Sequence, residues 1–192
     1  NCVANSRIWD EAGFEDVFVP PCPGDDGIAI GCALYGAALH QELKKKSVPV
    51  FGGRGYEHNP DELEQLGLQQ VFAGEDVSTV VAREMAKGAV VAWFQGGSEF
   101  GPRALGHRSF LADPRHPDMK DHLNLTVKKR ENFRPFAPVV LASYVHDYFE
   151  QNYPSYCMSL VARVREEKQA FLPAITHVDG TARFQVLEEE HN

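Results

Sequence analysis

The chain has 192 residues, 43% hydrophobic and 24% charged, enough for one globular domain or for one domain and a piece of another. A net charge of −8 argues against general binding to nucleic acid or a membrane surface, and no apolar run approaches the ~20 residues that span a bilayer. Cys2, Cys22, Cys32 and Cys157 follow no paired spacing, which reads as reduced thiols in a cytoplasmic protein.

The chain opens on Asn1 without an initiator Met and closes in the polar run 188–192, so a piece of a longer protein is expected. Asn5-Ser6 offers a helix start for residues 7–14, and Val17-Phe18-Val19 reads as a short strand closed by Pro20-Pro21. The turn Pro23–Gly27 leads into an Ala- and Gly-rich helix over 28–43 that suits close packing and ends at Lys44-Lys45-Lys46. Residues 47–75 read as a connector and domain boundary, with one short helix over 61–68.

From Asp76 the pattern sharpens. Asp76 and Ser78 are capping residues, Val77, Val80, Val81 and Met85 fall at helical spacing, and Gly88 stands where a helix C-terminal cap belongs. Residues 89–94 read as a buried strand, followed by a glycine-rich loop and a second short strand over 109–112. Pro117–Val127 reads as a helix with Met119, Leu123 and Val127 on one face. Next come strand 139–141, a helix over 143–149 with Ser143 as its cap, and an alternating stretch over 158–164. A polar loop over 176–183 then precedes strand 184–187. The expected class is α/β with short elements.

Function concentrates between Ser98 and Phe136. Eight basic residues face five acids there, so the window carries +3 in a chain of −8. A basic island of this size attracts a compact anion rather than a long polyanion. Glycines around Arg103 allow close backbone approach, and the arginine fork suits phosphate or carboxylate. GxxxxGK[ST] and GxSxG are both absent. The arginines can also be read as structural ion pairs, with anion binding the favoured reading, and Asp25-Asp26 as turn residues or part of a cation site. His177 and Asp179 read as an acid/base pair or as a structural loop.

The runs Ser98-Glu99-Phe100-Gly101-Pro102-Arg103-Ala104-Leu105-Gly106-His107-Arg108-Ser109, Ala112-Asp113-Pro114-Arg115 and Met119-Lys120-Asp121 resemble the NodU/CmcH carbamoyltransferase family. So do Lys128-Lys129-Arg130-Glu131, Phe133-Arg134-Pro135-Phe136-Ala137-Pro138 and Thr176-His177-Val178-Asp179-Gly180-Thr181-Ala182-Arg183. The resemblance implies that residues 1–60 end an actin-like, TsaD-like domain and that residues 70–192 form a YrdC-like domain, a mixed twisted sheet with helices. It implies an enzyme that makes carbamoyl adenylate from carbamoyl phosphate and ATP with Mg2+. The carbamoyl group then passes to a hydroxyl-bearing acceptor.

By the same resemblance Arg103, Arg108, Lys129, Arg130 and Arg134 are the catalytic cations. Ser98, Glu99, Gly101, His107, Ser109, Lys128, His177, Asp179 and Arg183 bind substrate or nucleotide, and Asp25 matches a ligand of an Fe2+-type metal. A homodimer is compatible with it; nucleic acid and membrane are not expected partners. Gly97 stands where the family more often has Arg. The metal histidines and an asparagine-rich segment of the family have no counterpart here, so these residues alone are not expected to complete the reaction. Two other readings are a nucleotide- or RNA-binding module without turnover and a relative that makes threonylcarbamoyl adenylate for tRNA.

Overall fold

Asn1 is the residue that starts the first helix. Its side-chain oxygen accepts from the backbone N–H groups of Val3 and Ala4, and helix α1 runs Cys2–Glu11. The expected start at Asn5-Ser6 is therefore corrected, because those side chains face inward. Asn5 donates to the Ser159 carbonyl at 2.9 Å, and the buried Ser6 hydroxyl both donates to Val161 O and accepts from Val161 N. The computed structural model describes residues 1–40, 50–56, 59–68, 76–151 and 153–188. Lys44–Lys46 and the end of the expected helix over 28–43 lie outside them.

Between α1 and residue 76 few side chains are buried. Residues 17–19 form no strand: Phe18 is 83% exposed, with no neighbouring strand to pair with among the described residues. A single 3-10 turn over Asp25–Gly27 leads into α2, Ile28–Leu39, whose residues are all at least partly exposed. The short helix α3 covers Pro60–Gln65, close to its expected place.

The remainder follows the sequence pattern more closely. Helix α4 spans Val77–Ala86; both carboxylate oxygens of Asp76 cap it, and Gly88 follows with φ +97°. Strand β1 (Val91–Phe94) pairs antiparallel with β2 (Arg108–Leu111). Among the described residues two strands form this sheet, and the expected buried strand is half-exposed, with Phe94 open to solvent. Helix α5 (Met119–Asp121) runs on into a wider π-helical turn over His122–Val127. Met119 and Leu123 bury one face against Ala174, with Val127 and Phe136 packed beside them.

Strand β3 (Val139–Leu141) is parallel to the last strand, β7 (Gln185–Leu187). A 3-10 turn over Ala142–Tyr144 precedes helix α6 (Val145–Tyr148), so Ser143 lies in that turn rather than at the α-helical cap. Strand β4 (Phe149–Glu150) pairs with β5 (Val161–Val164), and β5 pairs with β6 (Thr181–Arg183). Helix α7 (Glu166–Gln169) lies between β5 and β6. The expected polar loop over 176–183 thus ends as a strand, because Ala182 is fully buried between the outward-leaning Thr181 and Arg183.

The core is built on this sheet. Phe149 and Phe184 stack at 5.0 Å, surrounded by Val164, Leu160, Ile175 and Val186. Trp9 of α1 packs on the same core, 5.1 Å from Tyr153. Burying one such aromatic ring contributes about 2–3 kcal/mol, so α1 is fastened to the C-terminal half by packing as well as by Ser6. The class is mixed α/β. Among the described residues no helix is long and apolar enough to cross a membrane.

Candidate functional site

The first basic loop, residues 95–107, is wound around one carboxylate. Glu99 Oε1 accepts from the backbone N–H groups of Leu105 at 2.9 Å, His107 at 2.8 Å and Arg108 at 3.0 Å. Burial alone would push this carboxyl up; the loop's backbone donors outweigh it and hold Glu99 below the usual glutamate range. Ser109 accepts from Gly106 N, and His107 meets the Gly97 carbonyl at 2.7 Å while stacking on Phe51 at 3.9 Å.

The glycines have separate causes. A Cβ on Gly97 would lie 2.5 Å from Gly53 O and 2.8 Å from Phe51 O, so the arginine common in the family has no room here. Gly101, at φ +123°, lies against Pro21 O and the Cys22 thiol, which ties the loop to the N-terminal segment. Gly53 N donates to the carbonyl of Ser98, whose side chain fills the place of a Gly53 Cβ.

Arg108 turns back on its own loop. Its guanidinium donates to the carbonyls of Gln95, Gly96 and His107 and lies 3.5 Å over the Phe94 ring. Arg115 is likewise engaged, by the buried Asp113 at 2.9 Å. Arg103 projects from the exposed part of the loop.

The second basic loop, residues 128–134, closes the π-helical turn. Lys128 N donates to Leu123 O, and Arg130 N donates to Asn124 O. Between them Lys129 adopts φ +47°, the left-handed position usually given to glycine after a helix. Arg130 donates through Nε to Asn124 Oδ1 at 2.7 Å and lies over Phe136 at 4.9 Å. Arg134 pairs with Glu131 at 2.8 Å on the surface. Lys128 lies 5.1 Å from the Phe110 ring, its ammonium pushed down by partial burial and then by Arg130.

Strand β6 and the turn before it bring the third group. Asp179 Oδ1 accepts from Thr181 N at 3.0 Å and from Thr181 Oγ1 at 2.7 Å. A carboxylate only accepts, so the Thr181 hydroxyl proton points at Asp179. The 3.2 Å contact between Thr181 Oγ1 and His177 Nδ1 then needs its proton from the ring. That leaves His177 Nε2 as a bare lone pair, buried and without a partner among the described residues; Arg183 Nε is likewise buried and has none among them. Burial pushes the His177 ring down, with Asp179 opposing and Arg183 and Lys120 adding to it. The Arg183 guanidinium is lowered by burial first, then by Arg103, with a smaller push from Arg130.

Arg103 of the first loop and Arg130 of the second exert their field on Arg183, and Lys120 of α5 exerts its field on His177. Arg134 reaches that field through Arg130. Ser98, Glu99, Gly101, His107, Arg108 and Ser109 shape the first loop. An open cleft of about 610 Å³ between α1 and the β4–β5–β6 sheet includes Asp10 and Arg163 and, from the third group, Asp179 and Thr181.

Asp25 is exposed at the start of its 3-10 turn. Among the described residues no three His, Cys, Asp or Glu side chains are grouped to hold a metal, so Asp25 alone does not make a metal site. From sequence, Lys120 counts in the basic island without a role, and Asn124 and the Phe51 stack were missed. Asn124 escaped because a regular α-helix would place it beside, not on, the Met119–Leu123–Val127 face; the π-helical turn rotates it inward.

The α/β fold thus carries three basic segments whose charges act on one another. The family model described as "Carbamoyltransferase C-terminus" matches residues 82–192, and "Carbamoyltransferase N-terminus" matches residues 1–34. The chain belongs to the carbamoyltransferase family. It is 42% identical over 203 residues to Nodulation protein NolO of Bradyrhizobium diazoefficiens, covering 100% of this chain and 37% of that protein. It is 36% identical over 197 residues to 3'-hydroxymethylcephem-O-carbamoyltransferase of Streptomyces clavuligerus, covering 100% of this chain and 36% of the relative. Nodulation protein U of Sinorhizobium fredii is 36% identical over 187 residues, covering 95% and 32% respectively. The chain thus spans about a third of the length of these relatives.

Proposed function

We propose that this chain is the donor-activating part of an O-carbamoyltransferase, in which residues 70–192 are a YrdC-like domain and residues 1–60 the end of an actin-like, TsaD-like domain. Carbamoyl phosphate and ATP with Mg2+ are the substrates, carbamoyl adenylate the product, and a hydroxyl-bearing molecule the final acceptor. The single observation behind this reading is the pair of buried groups, His177 Nε2 and Arg183 Nε, that have no hydrogen-bond partner among the described residues.

In this mechanism water first cleaves carbamoyl phosphate to carbamate and inorganic phosphate; a carbamate oxygen then attacks the α-phosphorus of ATP, and pyrophosphate leaves. Arg103, Arg130 and Arg183 neutralise the charge that builds on the phosphate oxygens, and their fixed positions favour in-line attack. Lys129 and Arg134 add field from the rim. His177, neutral through burial, offers Nε2 as an acceptor for an N–H or O–H of the substrate, and so complements the cations around it. An Fe2+-type metal, with Asp25 as one ligand, belongs to the later transfer and takes its other ligands from elsewhere in the protein; no step here runs through it.

Calorimetric titration of carbamoyl phosphate and ATP into the intact protein tests the reading. Saturable binding is expected, weakened about 10- to 150-fold by Arg103→Ala if that guanidinium makes a charge-assisted contact. Unchanged affinity in Arg103→Ala removes it from the site. Binding that depends steeply on salt and shows no preference for carbamoyl phosphate points instead to a nucleotide- or RNA-binding module.

A further inference from the structure

The cations of the second loop are arranged by a residue that carries no charge. Asn124 is fully buried at the heart of the π-helical turn, and every polar group of its side chain points into the loop. Its Nδ2 donates to the carbonyls of Asn132 at 3.2 Å and Arg134 at 2.9 Å. Its Oδ1 accepts from Arg130 Nε at 2.7 Å, and its backbone carbonyl accepts from Arg130 N at 2.9 Å. One amide therefore fixes the loop at three successive points, residues 130, 132 and 134.

We propose that Asn124 is the positioning residue of the anion site: it sets the second loop in its ligand-ready shape before ligand arrives. Two observations make this more than ordinary loop packing. Lys129 stands in the left-handed region, which a side-chain-bearing residue adopts at a cost and keeps only where its surroundings impose it. The surroundings that impose it here are the hydrogen bonds on either side, from Lys128 to the turn and from Arg130 to Asn124. Arg130 is also the member of this loop whose charge is felt at Arg183, so the residue Asn124 holds most directly is the one that joins the loop to the site. Without the amide, Arg130 loses its lateral hold and residues 132 and 134 lose their anchors, Lys129 is left with only the backbone bonds on either side of it, and binding must first restore the loop.

The inference rests on the anion-site reading above, and the test separates the two. In the intact protein, Asn124→Ala and Asn124→Asp are compared with the unaltered chain by three measurements. These are inorganic pyrophosphate affinity by calorimetry, the thermal midpoint, and hydrogen exchange of the Arg130 and Arg134 amides. Asn124→Asp is nearly isosteric and keeps an oxygen facing Arg130, but it gives up both donors to the loop carbonyls, so it covers the case in which the alanine variant does not fold.

The expected result is pyrophosphate affinity about tenfold weaker or more in a folded variant, by the loss of two to three hydrogen bonds and of preorganisation, with faster exchange at both amides. A lowered midpoint with unchanged affinity and unchanged amide exchange means Asn124 only stabilises the core, and the proposal falls. If the unaltered protein fails to bind pyrophosphate, carbamoyl phosphate or ATP, the anion-site reading falls, and the positioning role, which is defined by that site, falls with it. Normal binding by the unaltered protein and by both variants overturns the positioning role alone.

Discussion

The two basic loops are held by opposite chemistry. In the first, the charged carboxylate of Glu99 gathers three backbone N–H groups, and the arginine beside it, Arg108, is consumed by carbonyls of its own loop. In the second, the neutral amide of Asn124 gathers two carbonyls and one guanidinium, and the strain falls on a lysine. A carboxylate only accepts, so it organises donors and is sensitive to protons. An amide donates and accepts, so it can hold a carbonyl and an arginine together, and pH does not touch it. A loop rich in arginine is thus braced either by spending an arginine or by burying an asparagine.

The largest expected effect separates the two braces. Glu99→Ala strands three N–H donors in a partly buried loop and should cost about 2–4 kcal/mol in urea unfolding, since bonds to a charged acceptor are stronger than neutral ones. A loss under about 0.5 kcal/mol would mean that water replaces the carboxylate and that the loop keeps its shape without it.

A smaller and local effect is expected from acid. The folded-state pKa of Glu99 is depressed, so its contribution to stability is present above the ordinary glutamate range and is lost as pH falls through the depressed value. Amide exchange at Leu105, His107 and Arg108 should therefore quicken in acid before exchange at Arg130 does, and in Glu99→Gln this acid step should vanish. Asp113 and Asp179 are also depressed, the first chiefly by Arg115 and the second chiefly by Thr181, so global unfolding would blur the contrast and the residue-resolved reading is the one to make.

The smallest effect concerns the ion pair at the rim of the second loop. Arg134 and Glu131 are both about half exposed, so Glu131→Ala should change stability by less than about 0.5 kcal/mol. A loss above about 1 kcal/mol would show that this loop leans on its ion pair rather than on the amide.

Legibility differed between regions for physical reasons. Asp76, the Val80 spacing and Gly88 carry local signals for α4 that tertiary contacts had no cause to override. At Asn5-Ser6 the same kind of signal misled, because the β5 backbone offered those side chains partners that a helix start did not. Val17–Val19 has strand composition but no strand to pair with among the described residues. At the site, the clustered charge was plain from residue counts, whereas the division of labour within it was not. Nothing in the spacing of Arg103 and Arg108 says that one stays open and the other folds back onto Gln95, Gly96 and Phe94.

Helix α2 sets a limit of another kind. It runs twelve residues without a single charge, and Ile28, Tyr35 and Leu39 are each at least 60% exposed. The consequence is colloidal: this stretch brings down the concentration at which the chain stays dispersed, because oily rods of this kind find one another faster than an overall charge of −8 can keep their carriers apart.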